Sequence, residues 1–277
     1  MGLNLILQGG PLSRDEVTQV AALAGANHIV TLGTTAWRFT GVTEAPIEGF
    51  CAERGLDWAW VPDERRLEDL RLIAMDMDST LITVESIDEM GGLLGIKEEI
   101  AAITAQAMQG EIDYAESLRR RVSLLAGLEQ SALDRLYTER VRLSPGAERL
   151  VDACQSRGIR TLLVSGGFSF FASRLTEQLG LDRCLSNELE IVGGRLTGRV
   201  LGNIVDGRAK AAKLSAMAQE IGVGCERTLA IGDGANDIPM LAVAGVSVAY
   251  RAKSAVREHA THTIDHAGLD GVIHLFL

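Results

Sequence analysis

An apolar run at residues 70–75 predicts a buried strand, and it ends in Asp76 and Asp78, one residue apart. Burying an isolated carboxylate is costly unless it is paired or bound to a metal. Alternation along an extended backbone would point the two carboxylates the same way. One could then attack an electrophile while the other handles a proton, and a cation would hold their charge together. From these residues alone, a strand-to-helix turn in which Asp and Ser cap the helix explains the pattern equally well.

Polar residues also follow the predicted strand at residues 160–164. The segment Ser165-Gly166-Gly167 joins a hydroxyl to glycines whose exposed backbone N–H groups can approach a phosphoryl oxygen closely. Taken alone, an ordinary glycine turn is the simpler explanation. Further along, Lys210 is predicted to open a helix over residues 210–221, where a fixed ammonium could meet the charge that develops on a phosphoryl group.

A turn rich in carboxylates follows the predicted strand at residues 228–231. Residues 232–237 have the sequence GDGAND and supply Asp233, Asn236 and Asp237 on a glycine turn that enters a helix. Asp233 would complete an all-oxygen site for Mg²⁺, which prefers octahedral oxygen ligands and keeps several waters. A capped helix start is the alternative, but it leaves two acids at one strand end unexplained.

Residues 1–68 are predicted to form a small α/β domain. Its extended stretches lie at residues 3–7, 28–32, 37–42 and 57–61. Ser13 and Glu16 have the spacing of a helix capping box, and a short helix is predicted after Pro46. We interpret this as a β-α-β-α-β order that loosely resembles a ferredoxin-like module, and a regulatory or oligomerising role is the hypothesis for it. The polar segment 62–66 is the predicted linker.

From residue 69 to residue 277 the chain alternates strands with helices, which is typical of a parallel sheet. The predicted strands lie at residues 70–75, 160–164, 228–231, 246–249 and 261–265. Gly193-Gly194 indicates a hairpin between residues 188–192 and 195–200. Residues 82–143 are too long for a loop and have helical spacing of apolar residues. We therefore expect an α/β domain with a Rossmann-like parallel sheet and an inserted helical cap over its carboxyl edge.

Taken together, the four polar segments resemble the motifs of the haloacid dehalogenase-like hydrolase superfamily. The order DMDST, SGG, Lys210 and GDGAND matches that superfamily over about residues 70–277. The resemblance extends to the phosphoserine phosphatase family, because Glu85 follows the first motif, Arg121 lies in the helical cap and residues 232–240 have the sequence GDGANDIPM. It implies a Mg²⁺-dependent enzyme that hydrolyses O-phospho-L-serine in the last step of serine biosynthesis. The N-terminal domain lies outside the strong match.

The resemblance and the chemistry imply the same roles for the acids. Asp76 would be the nucleophile that forms an aspartyl phosphate. Asp78 would protonate the leaving seryl oxygen and then remove a proton from the attacking water. The metal Mg²⁺ would be held by Asp76, the backbone carbonyl of Asp78 and Asp233, where it offsets repulsion between carboxylates and phosphate.

The remaining motif residues are predicted to bind the substrate phosphate. Ser165, Gly166 and Lys210 would hold the equatorial oxygens, over which the charge spreads in the transition state. Asn236 would orient the phosphate or Lys210. Asp237 would support these groups from behind without touching the substrate.

Recognition of the amino acid is predicted to come from the cap, since every phosphate ester shares the phosphate site. Phosphoserine carries an ammonium and a carboxylate, and by resemblance Glu85 takes the first and Arg121 the second, ideally through two parallel hydrogen bonds. Two simpler explanations stay open. Glu85 could be an acid favoured by a helix dipole, and Arg121 could be a solvated member of the arginine triplet at residues 119–121.

Three other functions stay open at this point. A related phosphatase could act on a sugar phosphate or nucleotide, although neither offers an ammonium and a carboxylate to Glu85 and Arg121. A phosphotransferase would pass the phosphoryl group to an alcohol instead of water. A signalling receiver domain also phosphorylates an aspartate with Mg²⁺, but it has no need of Asp78 or of a helical cap.

Composition favours a globular protein that acts on a small molecule. Of the 277 residues, 47% are hydrophobic and 23% are charged, which is ordinary for such proteins. The net charge of -10 gives no basis for electrostatic binding to nucleic acid or anionic lipid. No signal peptide, membrane span or CxxC pair is recognisable. We therefore expect a cytoplasmic enzyme without nucleic-acid or membrane partners, with a homodimer as a further hypothesis.

Overall fold

The computed structural model of the protein describes residues 2–276, whose strands form a four-stranded and a seven-stranded sheet. The strands are β1 (Leu3–Gln8), β2 (His28–Gly33), β3 (Ala36–Thr40), β4 (Asp57–Pro62), β5 (Leu72–Met75), β6 (Arg160–Phe168), β7 (Arg183–Val192), β8 (Arg195–Leu201), β9 (Thr228–Gly232), β10 (Val246–Tyr250) and β11 (His262–Ile264). The α-helices are α1 (Arg14–Ala24), α2 (Glu48–Arg54), α3 (Ser86–Leu94), α4 (Lys97–Met108), α5 (Tyr114–Ser123), α6 (Gln130–Glu139), α7 (Ala147–Gln155), α8 (Ser169–Leu179), α9 (Gly207–Glu220), α10 (Ile238–Val243) and α11 (Ser254–Arg257). None of these helices has the length and apolar character that a membrane crossing needs.

The N-terminal sheet is antiparallel, with strand order β2-β3-β1-β4. Helix α1 begins with the predicted capping box, in which Ser13 and Glu16 bond each other's backbone N–H groups. The expected β-α-β-α-β order was wrong, because β2 and β3 are two antiparallel neighbours. The result is the β-α-β-β-α-β order of a ferredoxin-like unit. The turn at residues 34–35 contains no Gly or Asn to mark a hairpin, so the sequence did not reveal it.

The N-terminal sheet packs against the larger domain through the face opposite its own helices. Ile6, Ala59 and Val61 belong to the same buried apolar cluster as the core of the larger domain. At one end of this contact, the buried Asp57 carboxylate accepts hydrogen bonds of 2.7–3.2 Å from three consecutive backbone N–H groups at residues 265–267. The two units therefore share an apolar, hydrogen-bonded interface.

The seven-stranded sheet has the order β11-β10-β9-β5-β6-β7-β8 and is parallel except for β8. Its central strand β5 lies between β9 and β6. Leu72 and Ala74 pack on one face of the sheet while Ile73 and Met75 pack on the other, as expected of a strand covered by helices on both sides. These observations confirm the predicted parallel α/β sheet.

One strand of this sheet begins earlier than the sequence indicated. The prediction placed only a hairpin strand at residues 188–192, whereas β7 starts at Arg183 and first pairs in parallel with β6. Its opening residues are partly exposed and lack an apolar run, so the pattern there did not predict a strand.

Helices α3, α4, α5 and α6 fall within the predicted insertion at residues 82–143. Ile82 and Leu143, the two ends of that insertion, pair with each other in an isolated bridge. The chain therefore leaves the sheet and returns to it at one place. This arrangement lets the insertion form a separate helical layer beside the carboxyl end of β5.

Candidate active site

The turn after β5 carries the two aspartates of the first motif. Asp76 is buried, makes no capping hydrogen bond, and leads into a tight turn at Met77–Leu81 in which Ser79 has a positive φ of 56°. A strained turn of this kind is common where backbone geometry serves a site. The alternative of a simple helix cap at Asp76 was therefore wrong.

Lys210 lies between two carboxylates. Its Nζ is 2.6 Å from Asp76 Oδ1 and 2.6 Å from Asp237 Oδ1, and all three side chains are almost fully buried. Burial alone would lower the pKa of Lys210, but the charges of Asp237 and Asp76 raise it above its ordinary value, so the ammonium stays charged. The prediction that Lys210 opens its helix was wrong. Helix α9 begins three residues earlier, after the capping side chain of Asp206.

The GDGAND turn after β9 brings Asp233 and Asp237 to the same place. Asp237 Oδ2 accepts hydrogen bonds from the backbone N–H groups of Asp233, at 3.2 Å, and Gly234, at 3.0 Å. Its other oxygen holds Lys210, so Asp237 fixes both the turn and the lysine. Asp233 Oδ1 accepts a 3.3 Å bond from the Thr80 hydroxyl. Burial and the charges of Asp237 and Glu85 raise the pKa of Asp233 to about 7.

The acids at this edge of the sheet fit a divalent cation. Ligand oxygens of Asp76, Asp233 and Asp237 all lie within 4.8 Å of one another. Burial and the charge of Asp237 raise the pKa of Asp76 well above its ordinary value, although Lys210 counteracts this. The single ammonium of Lys210 therefore does not balance the negative charge of the three carboxylates. Because Mg²⁺ binds hard oxygen donors, it could supply the missing positive charge. The predicted ligands Asp76 and Asp233 lie together. The contribution expected from Asp78 is its backbone carbonyl, which stays a prediction, and its carboxylate bonds Ser86 instead.

The carboxylate of Asp78 faces the start of the cap. Its oxygens accept hydrogen bonds from the backbone N–H of Ser86, at 3.1 Å, and from the Ser86 hydroxyl, at 3.0 Å. Burial and the nearby charge of Glu85 raise the pKa of Asp78 to about 7. A carboxyl group with a pKa near neutrality can both give and take a proton at physiological pH.

The Ser165-Gly166-Gly167 loop lies against Asp78. A Cβ added at Gly167 would be 2.5 Å from Asp78 Oδ2, and one added at Gly166 would overlap the hydroxyl of Tyr114. A Cβ at either position would therefore displace a side chain of the site, which explains these glycines better than an ordinary turn does. The same Cβ on Gly166 would lie 3.8 Å from Asn236 Nδ2. The structure thus places Asn236 beside this loop, whereas Lys210 hydrogen-bonds to other residues.

The two predicted specificity residues have different surroundings. Glu85 is exposed and accepts a 2.7 Å hydrogen bond from the Ser79 hydroxyl. Of the arginine triplet, Arg119 and Arg120 are exposed, and Arg120 pairs with Glu116 on the same helix. Arg121 is half-buried, and within residues 2–276 its only hydrogen bond is a long one of 3.4 Å to the Ser117 carbonyl. Its guanidinium is therefore available for a ligand.

Two residues that contact the Ser165-Gly166-Gly167 loop lie outside the motifs that the sequence analysis identified. Tyr114 begins α5, seven positions before Arg121 and on the same helix face, and its hydroxyl donates a 3.3 Å bond to the Gly166 carbonyl. Burial raises the pKa of Tyr114 to about 12, so the phenol stays protonated. Asn187 in β7 is buried and donates a 2.8 Å bond to the same carbonyl. Asn187 lies just before the predicted hairpin strand at residues 188–192, and no sequence signal marked its role.

Comparison with known families defines the class of protein to which this fold and site belong. A family model described as haloacid dehalogenase-like hydrolase matches residues 73–242. A second model, described as a domain of unknown function, matches residues 5–47. A HAD family hydrolase of known structure from Salmonella enterica serovar Typhi is 29% identical, with a TM-score of 0.88 over 100% of this chain and 99% of that chain.

Closer relatives share one name. A phosphoserine phosphatase of Polaromonas sp. strain JS666 is 50% identical over 215 residues, which cover 76% of this chain and 91% of the relative. The structure of a probable phosphoserine phosphatase from Vibrio cholerae is 37% identical, with a TM-score of 0.84 over 98% of this chain and 85% of that chain. The chain therefore belongs to the phosphoserine phosphatase family of the haloacid dehalogenase-like hydrolases.

Proposed function

We propose that the enzyme hydrolyses O-phospho-L-serine to L-serine and phosphate through an aspartyl-phosphate intermediate. The observation that carries the proposal is the buried Asp76 carboxylate, held by Lys210 and placed one residue from a second carboxyl with a pKa near 7. A nucleophile, a charge-balancing ammonium and a proton donor are the groups that this two-step reaction requires.

The first step transfers the phosphoryl group to Asp76. Lys210 holds Oδ1, which leaves Oδ2 to attack phosphorus in line. As the bond from Oδ2 to phosphorus forms, the bond from phosphorus to the seryl oxygen breaks, and Asp78 in its protonated form supplies the proton that the seryl oxygen needs. The Ser165 hydroxyl, the Gly166 N–H and the Lys210 ammonium bind the oxygens on which charge spreads.

The second step releases phosphate. Asp78, now a carboxylate, removes a proton from a water that attacks the same phosphorus, and the bond to Asp76 breaks. Asp78 is thereby reprotonated and Asp76 restored. The pKa of about 7 at Asp78 suits both directions of proton transfer. Mg²⁺, held by Asp76, Asp233 and the backbone carbonyl of Asp78, would supply positive charge against the repulsion between carboxylates and phosphate.

The proposal assigns recognition of the amino acid to Glu85 and Arg121. The half-buried Arg121 guanidinium is free of an acidic partner among the described residues, and it pairs naturally with a carboxylate. Glu85 lies at the start of α3, close enough to Asp78 and Asp233 to raise the pKa of both. An ammonium next to Glu85 would therefore also reduce carboxylate repulsion in the site.

Phosphate release from a panel of esters tests the substrate assignment. The panel contains L- and D-phosphoserine, a sugar phosphate, a nucleotide and para-nitrophenyl phosphate. We expect Arg121→Ala to lower kcat/KM for phosphoserine by an amount that corresponds to a loss of about 2–5 kcal/mol in binding free energy. We expect little change for para-nitrophenyl phosphate, which has no carboxylate. Arg119→Ala, on the exposed side of the same helix, is the control. Equal losses on both substrates would contradict recognition by Arg121.

A trapping experiment tests the nucleophile. Asp76→Asn is expected to abolish turnover and phosphoenzyme formation, because an amide cannot attack phosphorus. Asp78→Asn should slow the reaction by about 10²–10⁴-fold and still accumulate some phosphoenzyme when the leaving group is good. Mass spectrometry of the trapped phosphoenzyme checks the assignment, and phosphate on a residue other than Asp76 would refute it.

The proposal also includes the setting of the reaction. We place the reaction as the last step of serine biosynthesis, and we place the enzyme in the cytoplasm. The four free cysteines favour that reducing compartment. Neither a nucleic acid nor a membrane is expected as a partner. Association into a homodimer and a regulatory role for the N-terminal domain at residues 1–68 stay predictions. Product analysis with added alcohol acceptors would separate hydrolysis from phosphoryl transfer.

A further inference from the structure

We infer that Asn187 is a positioning residue that orients the Ser165 hydroxyl for donation to the substrate phosphate. It also connects the Ser165-Gly166-Gly167 loop to the segment before Lys210. The inference rests on the proposed function for the identity of the reaction. The contacts that support it lie within the protein itself.

The loop needs such a support because it leaves the sheet. Strand β6 pairs with β7 at Val164 opposite Leu185 and again at Phe168 opposite Asn187, with a shift of register between the two. Residues 165–167 therefore bulge out of the ladder, and the carbonyl of Gly166 has no strand partner. Asn187 Nδ2 replaces that partner with a hydrogen bond of 2.8 Å.

The peptide between Gly166 and Gly167 is held at both ends. Its oxygen accepts the shorter of its two hydrogen bonds from Asn187, at 2.8 Å, and the longer one from the Tyr114 hydroxyl, at 3.3 Å. Its N–H donates a 2.8 Å hydrogen bond to Ser165 Oγ. Because Ser165 Oγ already accepts this N–H, its own proton is left for another acceptor. Hydrogen bonds in series polarise one another. The chain from the Asn187 amide through the peptide to the Ser165 hydroxyl therefore makes that hydroxyl a better donor to a phosphoryl oxygen.

The other end of the Asn187 amide reaches the second phosphate-binding element. Asn187 Oδ1 accepts a 2.8 Å hydrogen bond from the backbone N–H of Val205. Val205 immediately precedes Asp206, which caps α9, the helix that carries Lys210. Only 1% of Asn187 is exposed, and a buried amide is costly unless both of its ends are bonded. One side chain thus links the Ser165 loop to the segment that leads into the helix carrying Lys210.

Kinetics of Asn187→Leu test this role. Losing a direct donor to a transition-state charge typically costs about 10²–10³-fold in kcat, so we expect an indirect loss of about 10–100-fold. Thr161→Val is the matched control, because the buried Thr161 also links β6 to the segment before β7, through hydrogen bonds with Asp182 at the opposite end of the strand. The control should lose stability without loss of kcat. If Asn187→Leu does not fold by circular dichroism, Asn187→Ala, which leaves space for water, takes its place.

A double-mutant cycle with Ser165→Ala separates positioning from general support. If Asn187 acts through the Ser165 hydroxyl, its substitution should cost less than about threefold once that hydroxyl is gone. Full additivity of the two losses, or an unchanged kcat in the single variant, would overturn the inference.

The same measurements distinguish this inference from the proposed substrate. All variants are assayed on phosphoserine and on para-nitrophenyl phosphate, and binding of inorganic phosphate is measured by calorimetry. Wild-type turnover of para-nitrophenyl phosphate without turnover of phosphoserine would reject the substrate but still test Asn187. Weaker phosphate binding by Asn187→Leu than by Thr161→Val is expected in either case, and equal affinities would count against Asn187.

Discussion

Replacing Lys210 with Met removes the buried ammonium and leaves Asp76 and Asp237 facing each other. At 2.6 Å, each ion pair is worth about 6 kcal/mol for an effective dielectric constant of about 20. Removing the lysine also removes the cost of burying it, which offsets several kcal/mol of this attraction. Loss of one partner from a buried pair typically costs about 3–5 kcal/mol, and we expect a loss of this size in the free energy of unfolding at pH 7.

Urea unfolding of the metal-free protein, with a chelator present, measures this loss. Lys213→Met is the control, because Lys213 lies on the same helix, is half-exposed and makes no ion pair among the described residues; it should change stability by no more than about 0.5 kcal/mol. The raised pKa of Asp76 sets the sign of the pH dependence. Lowering the pH protonates Asp76 and so removes its repulsion with Asp237, and the deficit of Lys210→Met should therefore shrink. A loss below about 1 kcal/mol at pH 7 would refute the buried-pair reasoning.

Two further predictions concern the metal and the pH dependence of stability. Activity should require Mg²⁺ and vanish with a chelator, and Ca²⁺ should inhibit because its looser coordination could engage both oxygens of Asp76; full activity in metal-free buffer would contradict the metal site. Burial and the Arg65 guanidinium lower the pKa of His262 to about 4, and Arg65 donates a 2.6 Å bond to its Nε2. Between pH 6.5 and pH 4 the unfolded chain takes up a proton that the folded protein refuses, so up to about 3 kcal/mol of stability should be lost as the pH falls. His262→Asn should flatten this part of the curve of unfolding free energy against pH.

The sequence predicted the fold best where a physical pattern was strong. The apolar run before Asp76 and the strands that precede SGG and GDGAND were all confirmed as neighbours in one parallel sheet. The prediction was weaker at the N-terminal hairpin, where both strands were predicted but their antiparallel pairing was not, and at the start of β7. In both places tertiary pairing, rather than local preference, makes the strand.

The catalytic acids lie in contiguous motifs, whereas their supports come from distant parts of the chain. Nothing local to Asn187 indicates that its amide bonds Gly166, 21 positions away. Tyr114 belongs to a helix whose placement over the loop is set by the packing of the cap. The motifs therefore identified the residues proposed to react and the support from Asp237, whereas the supports from Asn187 and Tyr114 were missed.

The Asp57 contact has a consequence for the order in which the protein is assembled during synthesis. The backbone N–H groups that Asp57 binds begin 208 positions later, at Asp265. Strand β5 likewise needs partners from β6 and β9, on the far side of the cap. Domains generally fold as they leave the ribosome, N-terminal first. The N-terminal sheet can therefore form early, but its docking face with Ile6, Ala59 and Val61 stays exposed to water and to chaperones until the last strands have been made.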